Sequence, residues 1–183
     1  MMEKEERTMV FIDLRNVMGI LRRFDVRAKI DFTDMVEHVT AGRRQIAAYV
    51  FDGEGDGDGK KFHDALEYSG FRVITRNAYD PLDNKQKEVD SAMVCKMVEH
   101  AFRDNYDTAI IISGDRDFCP AVELIQSLGK RVEVAGFSMT MSGALHRSGD
   151  VYHDMDALEL FYDVTRDHPF VDYAAGETVE ICI

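Results

Sequence analysis

The chain has 183 residues, of which 45% are hydrophobic and 31% charged, with a formal net charge of −12. That is the length of one well-packed domain and the composition of an ordinary globular protein, neither disordered nor membrane-spanning. No apolar run approaches the roughly 18 residues of a spanning helix, and Met1 to Thr8 is charged where a signal peptide is apolar, so a cytoplasmic protein with no membrane partner is expected.

In chain order, Met9-Val10-Phe11-Ile12 reads as a first strand closed by Asp13, with Leu14-Arg15-Asn16-Val17 entering a helix. An Asp at that point is either a helix N-cap or a strand-end carboxylate with work to do. Between Arg15 and Lys29, five basic residues (Arg15, Arg22, Arg23, Arg27, Lys29) face Asp25 alone, which makes either a solvated helix face or a local anion-binding surface. Asp31 to Asp34 opens a second helix with Met35, Val36 and Val39 on its apolar side, stopped by Ala41-Gly42.

Gln45 to Phe51 reads as the next strand, and it runs into alternating acid and glycine from Asp52 to Gly59. Counted as a calcium loop from Asp52, the stretch has a suitable Gly57 but His63 where the twelfth position needs Glu, so we read it as a solvated loop. Lys60 and Lys61 after it either help hold a phosphate backbone or balance the acids. A helix from about Lys61 to Tyr68 leads to the strand Phe71 to Thr75, followed by a long loop carrying Asn77, Asp80-Pro81 and Lys85-Gln86-Lys87. The helix beginning near Glu88-Val89-Asp90 has Val89, Met93, Met97 and Ala101 on one stripe, and Asp90 in its first turn suits the helix dipole.

Ala109-Ile110-Ile111-Ile112 is a buried parallel strand by composition, stopped by Ser113-Gly114. Asp115 and Asp117 follow at once, and Pro120 with Phe118, Val122, Ile125 and Leu128 starts a helix. In open α/β sheets ligands bind where a strand ends and a helix begins. Arg131 to Ala135 is a further strand; Gly136 to Gly149 suggests a short helix anchored by Leu145, and Asp156 to Tyr162 another. Thr178 to Ile183 alternates like an edge strand. From Asp150 onward nine acids stand against Arg166 alone, a net −8, so the body is only mildly acidic and a polyanionic partner stays compatible with it. Cys95, Cys119 and Cys182 have no metal-binding spacing and favour a reducing compartment; Cys95 and Cys119 are expected as small core residues.

Strand and helix alternate, which predicts a three-layer α/β/α fold with a mostly parallel, Rossmann-like sheet of about five strands. Right-handed crossovers bring the C-terminal ends of the strands to one side, so Asp13, Asp115 and Asp117 share an edge, and Asp90 joins them if the loop before its helix folds over. Four carboxylates in one cleft repel unless a divalent cation sits among them, and oxygen-only ligands suit Mg²⁺ or Mn²⁺. Such a site activates water for in-line displacement at phosphorus. No Walker A loop, GxGxxG after a strand, GxSxG elbow or HExxH is present.

Val10-Phe11-Ile12-Asp13 with Asn16, Lys87-Glu88-Val89-Asp90, Ile112-Ser113-Gly114-Asp115-Arg116-Asp117-Phe118 and Leu128 to Val134, in that order, resemble the NYN domain of the PIN-like nuclease superfamily, close to its LabA-like branch. The resemblance covers residues 8–162 as the domain and leaves 163–183 as an acidic C-terminal extension. It implies a metal-dependent ribonuclease acting on RNA, with Asp13, Asp90, Asp115 and Asp117 as metal-binding and catalytic acids and Asn16 and Ser113 as helpers that orient a carboxylate or touch phosphate. Arg15, Arg22, Arg23, Lys85 and Lys87 are the candidates for guiding the RNA backbone. One position departs from many relatives: the residue six after Asp90 is Lys96 rather than Asp, about 120° round the helix from Asp90. Pointing inward, Lys96 would replace part of a cation's charge. The alternatives are a catalytically inactive PIN-like module that binds RNA or a protein partner, and, ranked last, a phosphatase, which Asp13-Leu14-Arg15 does not suit for want of an Asp-x-Asp nucleophile. A homo-oligomer is left open.

Overall fold

Extended β-branched runs and amphipathic helices alternate along the chain. The computed structural model describes residues 5–24, 28–54, 57–76, 87–156 and 161–163. In order the elements are β1 (Arg7–Asp13), α1 (Leu14–Phe24), β2 (Ala28–Ile30), α2 (Phe32–Thr40), β3 (Arg44–Gly53), α3 (Asp58–Tyr68), β4 (Arg72–Arg76), α4 (Lys87–Phe102), β5 (Thr108–Ile112), a 3-10 turn (Arg116–Phe118), α5 (Cys119–Ser127), β6 (Arg131–Gly136), α6 (Gly143–Ser148), β7 (Val151–Asp154) and β8 (Phe161–Asp163). Six strands form one sheet in the order β4-β3-β1-β5-β6-β7, and every neighbouring pair is parallel. β8 pairs antiparallel with β2 as a small separate ribbon.

Strand alternation divides the core into two halves. Met9, Phe11, Tyr49, Phe51, Ala109, Ile111, Val132 and Val134 meet Val89, Met93 and Met97 of α4 and Val122 and Ile125 of α5. Val10, Ile12, Ala48, Val50, Ile110 and Ile112 meet Leu14, Val17 and Ile20 of α1, Met35, Val36 and Val39 of α2 and Leu66 of α3. A sheet covered on both faces explains why its central strands read as continuous apolar runs. Local signals set the helix ends: Asp31 caps α2, accepting from the Thr33 and Asp34 amides, and Ala41, at φ 49°, closes it.

The structure extends the expected sheet. β7 is a sixth strand, four residues long, which periodicity over so short a run does not reveal. Of the helix expected over Asp156 to Tyr162, residues 157–160 lie outside the described residues, and Phe161–Asp163 is extended, its hydrogen bonds going to β2. β3 runs on through Asp52 and Gly53, and α3 starts at Asp58, three residues before the expected Lys61. Cys95 is exposed, against expectation, because the stripe that turns Met93 and Met97 to the sheet turns residue 95 away; Cys119 is partly buried against the core. Cys182, the strand-like Thr178 to Ile183 and the loop with Asn77, Asp80-Pro81 and Lys85 lie outside the described residues. Among the described residues no helix is long and apolar enough to cross a membrane.

Candidate active site

The sheet order reverses between β1 and β5: the chain builds outward through β3 and β4 on one side and through β6 and β7 on the other. The C-terminal ends of β1 and β5 therefore flank a topological switch point, where an open α/β sheet offers a crevice. Asp13 is the last residue of β1, and Ile12 stands level with Ile112, so the Asp13 side chain meets Ser113 just past β5.

Asp13 is 6% exposed. Its Oδ2 accepts from the Ser113 hydroxyl at 3.0 Å and its Oδ1 from the Asn16 amide at 3.1 Å. The same Ser113 oxygen accepts from the Asp115 amide at 3.1 Å, and Asp115 Oδ1 accepts from the Asp117 amide at 3.0 Å. The Asn16 side chain accepts from the Gly114 amide at 3.0 Å and so ties the start of α1 to the loop after β5, while its backbone N–H holds the Asp13 carboxylate. A Cβ at Gly114 would stand 2.2 Å from the Thr140 carbonyl oxygen, and Ser142 donates its amide to Gly114 O at 2.9 Å. Only glycine lets the loop after β6 press so closely on the turn that carries the two acids. Asp13 and Asp115 are thus local caps as well as members of a cluster.

Asp90 reaches that cluster from the first turn of α4. Burial, then the charges of Asp13, Asp115 and Asp117, push its carboxyl from 3.8 up to about 6, against the opposing charge of Arg15. Burial likewise raises Asp13, opposed by the bonds from Asn16 and Ser113 and reinforced by the charges of Asp115 and Asp52. All four acids therefore lie within mutual electrostatic reach. Between pH about 4 and about 6 the native chain holds a proton at Asp90 that the unfolded chain has released, so this group's contribution to stability falls as pH rises through that window. Asp90→Asn is expected to raise the melting temperature at pH 7 in metal-free buffer and to leave it unchanged at pH 4. Thermal unfolding at the two pH values checks this, and an equal shift at both would assign the effect to packing instead.

Lys96 does not enter the cluster. Its ammonium lies 2.8 Å from Glu99, which also holds Arg103 at 3.0 Å, along the outer face of α4. Among the described residues, Arg15, exposed at the start of α1, is a cation that acts on Asp90. Arg22 and Arg23 lie at the end of α1 and Lys87 opens α4, while Lys85 lies outside the described residues.

Asp52 and His63, which the sequence offers only as the first and twelfth positions of an unsuitable calcium loop, meet in the structure. Asp52 lies near the end of β3, still paired with Thr75 of β4, and its Oδ2 lies 2.9 Å from Nε2 of the buried His63 on α3. Val50-Phe51-Asp52 has the pattern of Phe11-Ile12-Asp13, but β3 runs one residue past its Asp and acid-glycine alternation follows. The donor set at the switch point is carboxylate and hydroxyl oxygen, the chemistry of a hard divalent cation. Among the described residues no three His, Cys, Asp or Glu side chains converge closely enough to hold an ion between them. The arrangement fits an ion that keeps several waters and takes one or two carboxylates, as Mg²⁺ commonly does.

The family model of the NYN domain matches residues 7–159. Low amplitude and bright protein LabA of Synechococcus elongatus is 26% identical over 184 residues, covering 92% of this chain and 94% of that protein. The crystal structure of VPA0982, a protein of unknown function from Vibrio parahaemolyticus, superposes with a TM-score of 0.74 at 25% identity, covering 86% of this chain and 97% of that one.

Proposed function

The chain belongs to the NYN domain family, and from that membership and its acidic cluster we propose that it is a cytoplasmic, metal-dependent endoribonuclease that hydrolyses RNA phosphodiester bonds. The observation that carries the reading is the set Asp13, Asp90, Asp115 and Asp117 at the switch point, where burial and then the charges of the other three push Asp90 up to about 6. Bound there, Mg²⁺ or Mn²⁺ supplies an acidified water and neutralises charge on the phosphoryl group. Asp13 and Asp90, the buried and half-buried acids, would hold the ion together with Asp115 and Asp117, which lie nearer to solvent. Ser113 keeps Asp13 in place through the 3.0 Å bond to Oδ2. Arg15 meets a phosphate at the rim, and Arg22, Arg23, Lys85 and Lys87 guide the rest of the RNA backbone.

Incubation of the chain with mixed RNAs, in Mn²⁺ and in chelator, tests the reading. Cleavage is expected only with Mn²⁺, and Asp115→Asn is expected to reduce it to the chelator level without changing the far-UV spectrum; full activity in that variant would sink the assignment. The lack of a three-donor chelate among the described residues favours a second reading, a non-catalytic module that binds RNA or a protein partner. Metal-independent RNA binding without cleavage would select it.

A further inference from the structure

Of the large apolar side chains left exposed among the described residues, Tyr68, Phe102 and Leu124 lie on helices that run toward the starts of strands. Met139, 50% exposed, sits instead in the loop between β6 and α6, at the edge of the sheet that carries the acids. A single exposed methionine is ordinary, but this one is held out by its neighbours. Phe137 is buried, and the Met141 side chain turns in against Gly136 and the core. The amides of Thr140 and Met141 both donate to the Phe137 carbonyl, at 3.0 and 2.9 Å, which closes the loop into a turn. Ser138 bonds to Asp156 through its amide and its hydroxyl. The Thr140 carbonyl presses on Gly114, one residue before Asp115, and Ser142 donates its amide to Gly114 O. The loop is thus fixed to the turn that carries the acids, with an apolar side chain exposed on it.

A cation stands beside it. α6 packs against the 3-10 turn that contains Asp117, with Leu145 buried in the core and Arg147 exposed. Helical side chains lean toward the N-terminus of their helix, and Gly143 leaves Arg147 the room to do so: a Cβ at Gly143 would stand 3.1 Å from Arg147 Nη1. The guanidinium is therefore carried back along α6 toward the loop, and it makes no hydrogen bond or ion pair among the described residues. Arg15 follows β1 and Arg147 follows the loop after β6, so the two cations flank the end of β5.

An apolar surface next to an exposed guanidinium suits a nucleotide, the base on one and the phosphate on the other. We propose that Met139 and Arg147 form a subsite for a nucleotide next to the scissile phosphate, in which the thioether packs on the face of an unpaired base and the guanidinium meets a backbone phosphate. This rests on the reading of the site as one that acts on RNA. It restricts the substrate to RNA that is single-stranded at that position, because a stacked and paired base offers no free face.

Binding of a short, fluorescently labelled single-stranded RNA to the full chain in chelator, followed by anisotropy over a salt series, and kcat/KM for its cleavage in Mn²⁺ test the subsite. Met139→Ala is expected to weaken binding about fivefold, the size of a weak base stack, with the salt dependence unchanged. Met139→Leu is expected to retain most of the affinity. The loss in Met139→Ala is expected to vanish when the RNA carries an abasic residue at one position and to persist when the abasic residue is elsewhere. Arg147→Ala is expected to lower the slope of log affinity against log salt by about 0.7, one phosphate contact on a single strand, and Arg147→Lys to keep it. Arg44→Ala, at the start of β3 on the opposite edge of the sheet, is expected to leave the slope as it is. Unchanged affinity in Met139→Ala, a loss indifferent to every abasic position, an unchanged slope in Arg147→Ala, or an equal fall in slope in Arg44→Ala overturns the subsite and leaves the nuclease reading standing. Binding with the expected signatures but without Mn²⁺-dependent cleavage keeps the subsite and overturns the nuclease reading. Absence of both binding and cleavage by the unsubstituted chain overturns both.

Discussion

Asp13→Asn is expected to lower Mn²⁺-dependent RNA cleavage by about a hundredfold or more, since changing groups that only orient a metal's ligands already costs 10–100-fold. Asp13 is the most buried acid of the cluster and the one whose two oxygens are both placed, by Ser113 and by the Asn16 amide. Asparagine keeps an acceptor for the Asn16 amide and turns the bond to Ser113 round, so the strand end survives while the charge is lost. Removing a buried charge with like-charged neighbours also relieves desolvation and repulsion. The variant is therefore expected to melt at an equal or higher temperature in metal-free buffer. Single-turnover cleavage of a labelled RNA, together with thermal unfolding, separates the two effects. Cleavage at the original rate would show that Asp13 serves only as the cap of α1.

Glu133→Ala is expected to cost about 1–3 kcal/mol of stability, because it leaves the donors of the partly buried Arg43 and His153 without their acceptor. Glu133 lies in β6 and is 3% exposed. Arg43 grips it with two bonds of 2.9 and 2.8 Å, Arg131 Nε adds one of 2.9 Å, and His153 Nε2 lies 2.8 Å from it. Arg43 also donates to the Val39 and Thr40 carbonyls and pairs with Glu6. One carboxylate thus joins β6, β7 and the turn between α2 and β3. Burial pushes this carboxyl up, but hydrogen bonds from His153, Arg43 and Arg131 together hold it well below the usual range. A depressed folded value means that the stabilisation is present above the unfolded value and is lost as pH falls below it. The gap between Glu133→Ala and the original chain should therefore be widest near neutral pH and narrow below about pH 4. At 183 residues the neutral-pH loss corresponds to a melting temperature lower by about 2–12 °C. Urea unfolding at neutral and acid pH checks both the size and the trend, and a loss below about 1 kcal/mol would reduce the network to a surface contribution.

The parts of the fold that were legible in advance are those whose signal is local. The run Ala109 to Ile112 is too apolar for any place but the middle of a covered sheet, and Ile110 and Ile112 point to one half of the core while Ala109 and Ile111 point to the other. Val89, Met93, Met97 and Ala101 recur at helical spacing, and all are buried beneath α4. β7 and the β2-β8 ribbon escaped because strands of three or four residues carry too little pattern, and what makes them strands is a partner far away in the chain. Lys96 illustrates the same limit at one side chain: helical geometry gives its direction from the axis, but a long flexible stem goes to whatever acid is nearest, and Glu99 stands one turn on.

For the site, the sequence by itself determined the chemistry. It placed carboxylates after two strands and in the first turn of a helix, because apolar runs that end at an Asp, and the Ser113-Gly114 stop before Asp115, are written in consecutive residues. Only the tertiary structure decided which acids share a space. Asp13 and Ser113 are 100 residues apart and meet because β1 and β5 are neighbours at the switch point. Likewise the tie between Asp52 and His63 appears only once α3 packs back on the sheet. Proximity across strands is a property of sheet order, and sheet order is settled by the burial of both faces together, which no single stretch of the chain encodes.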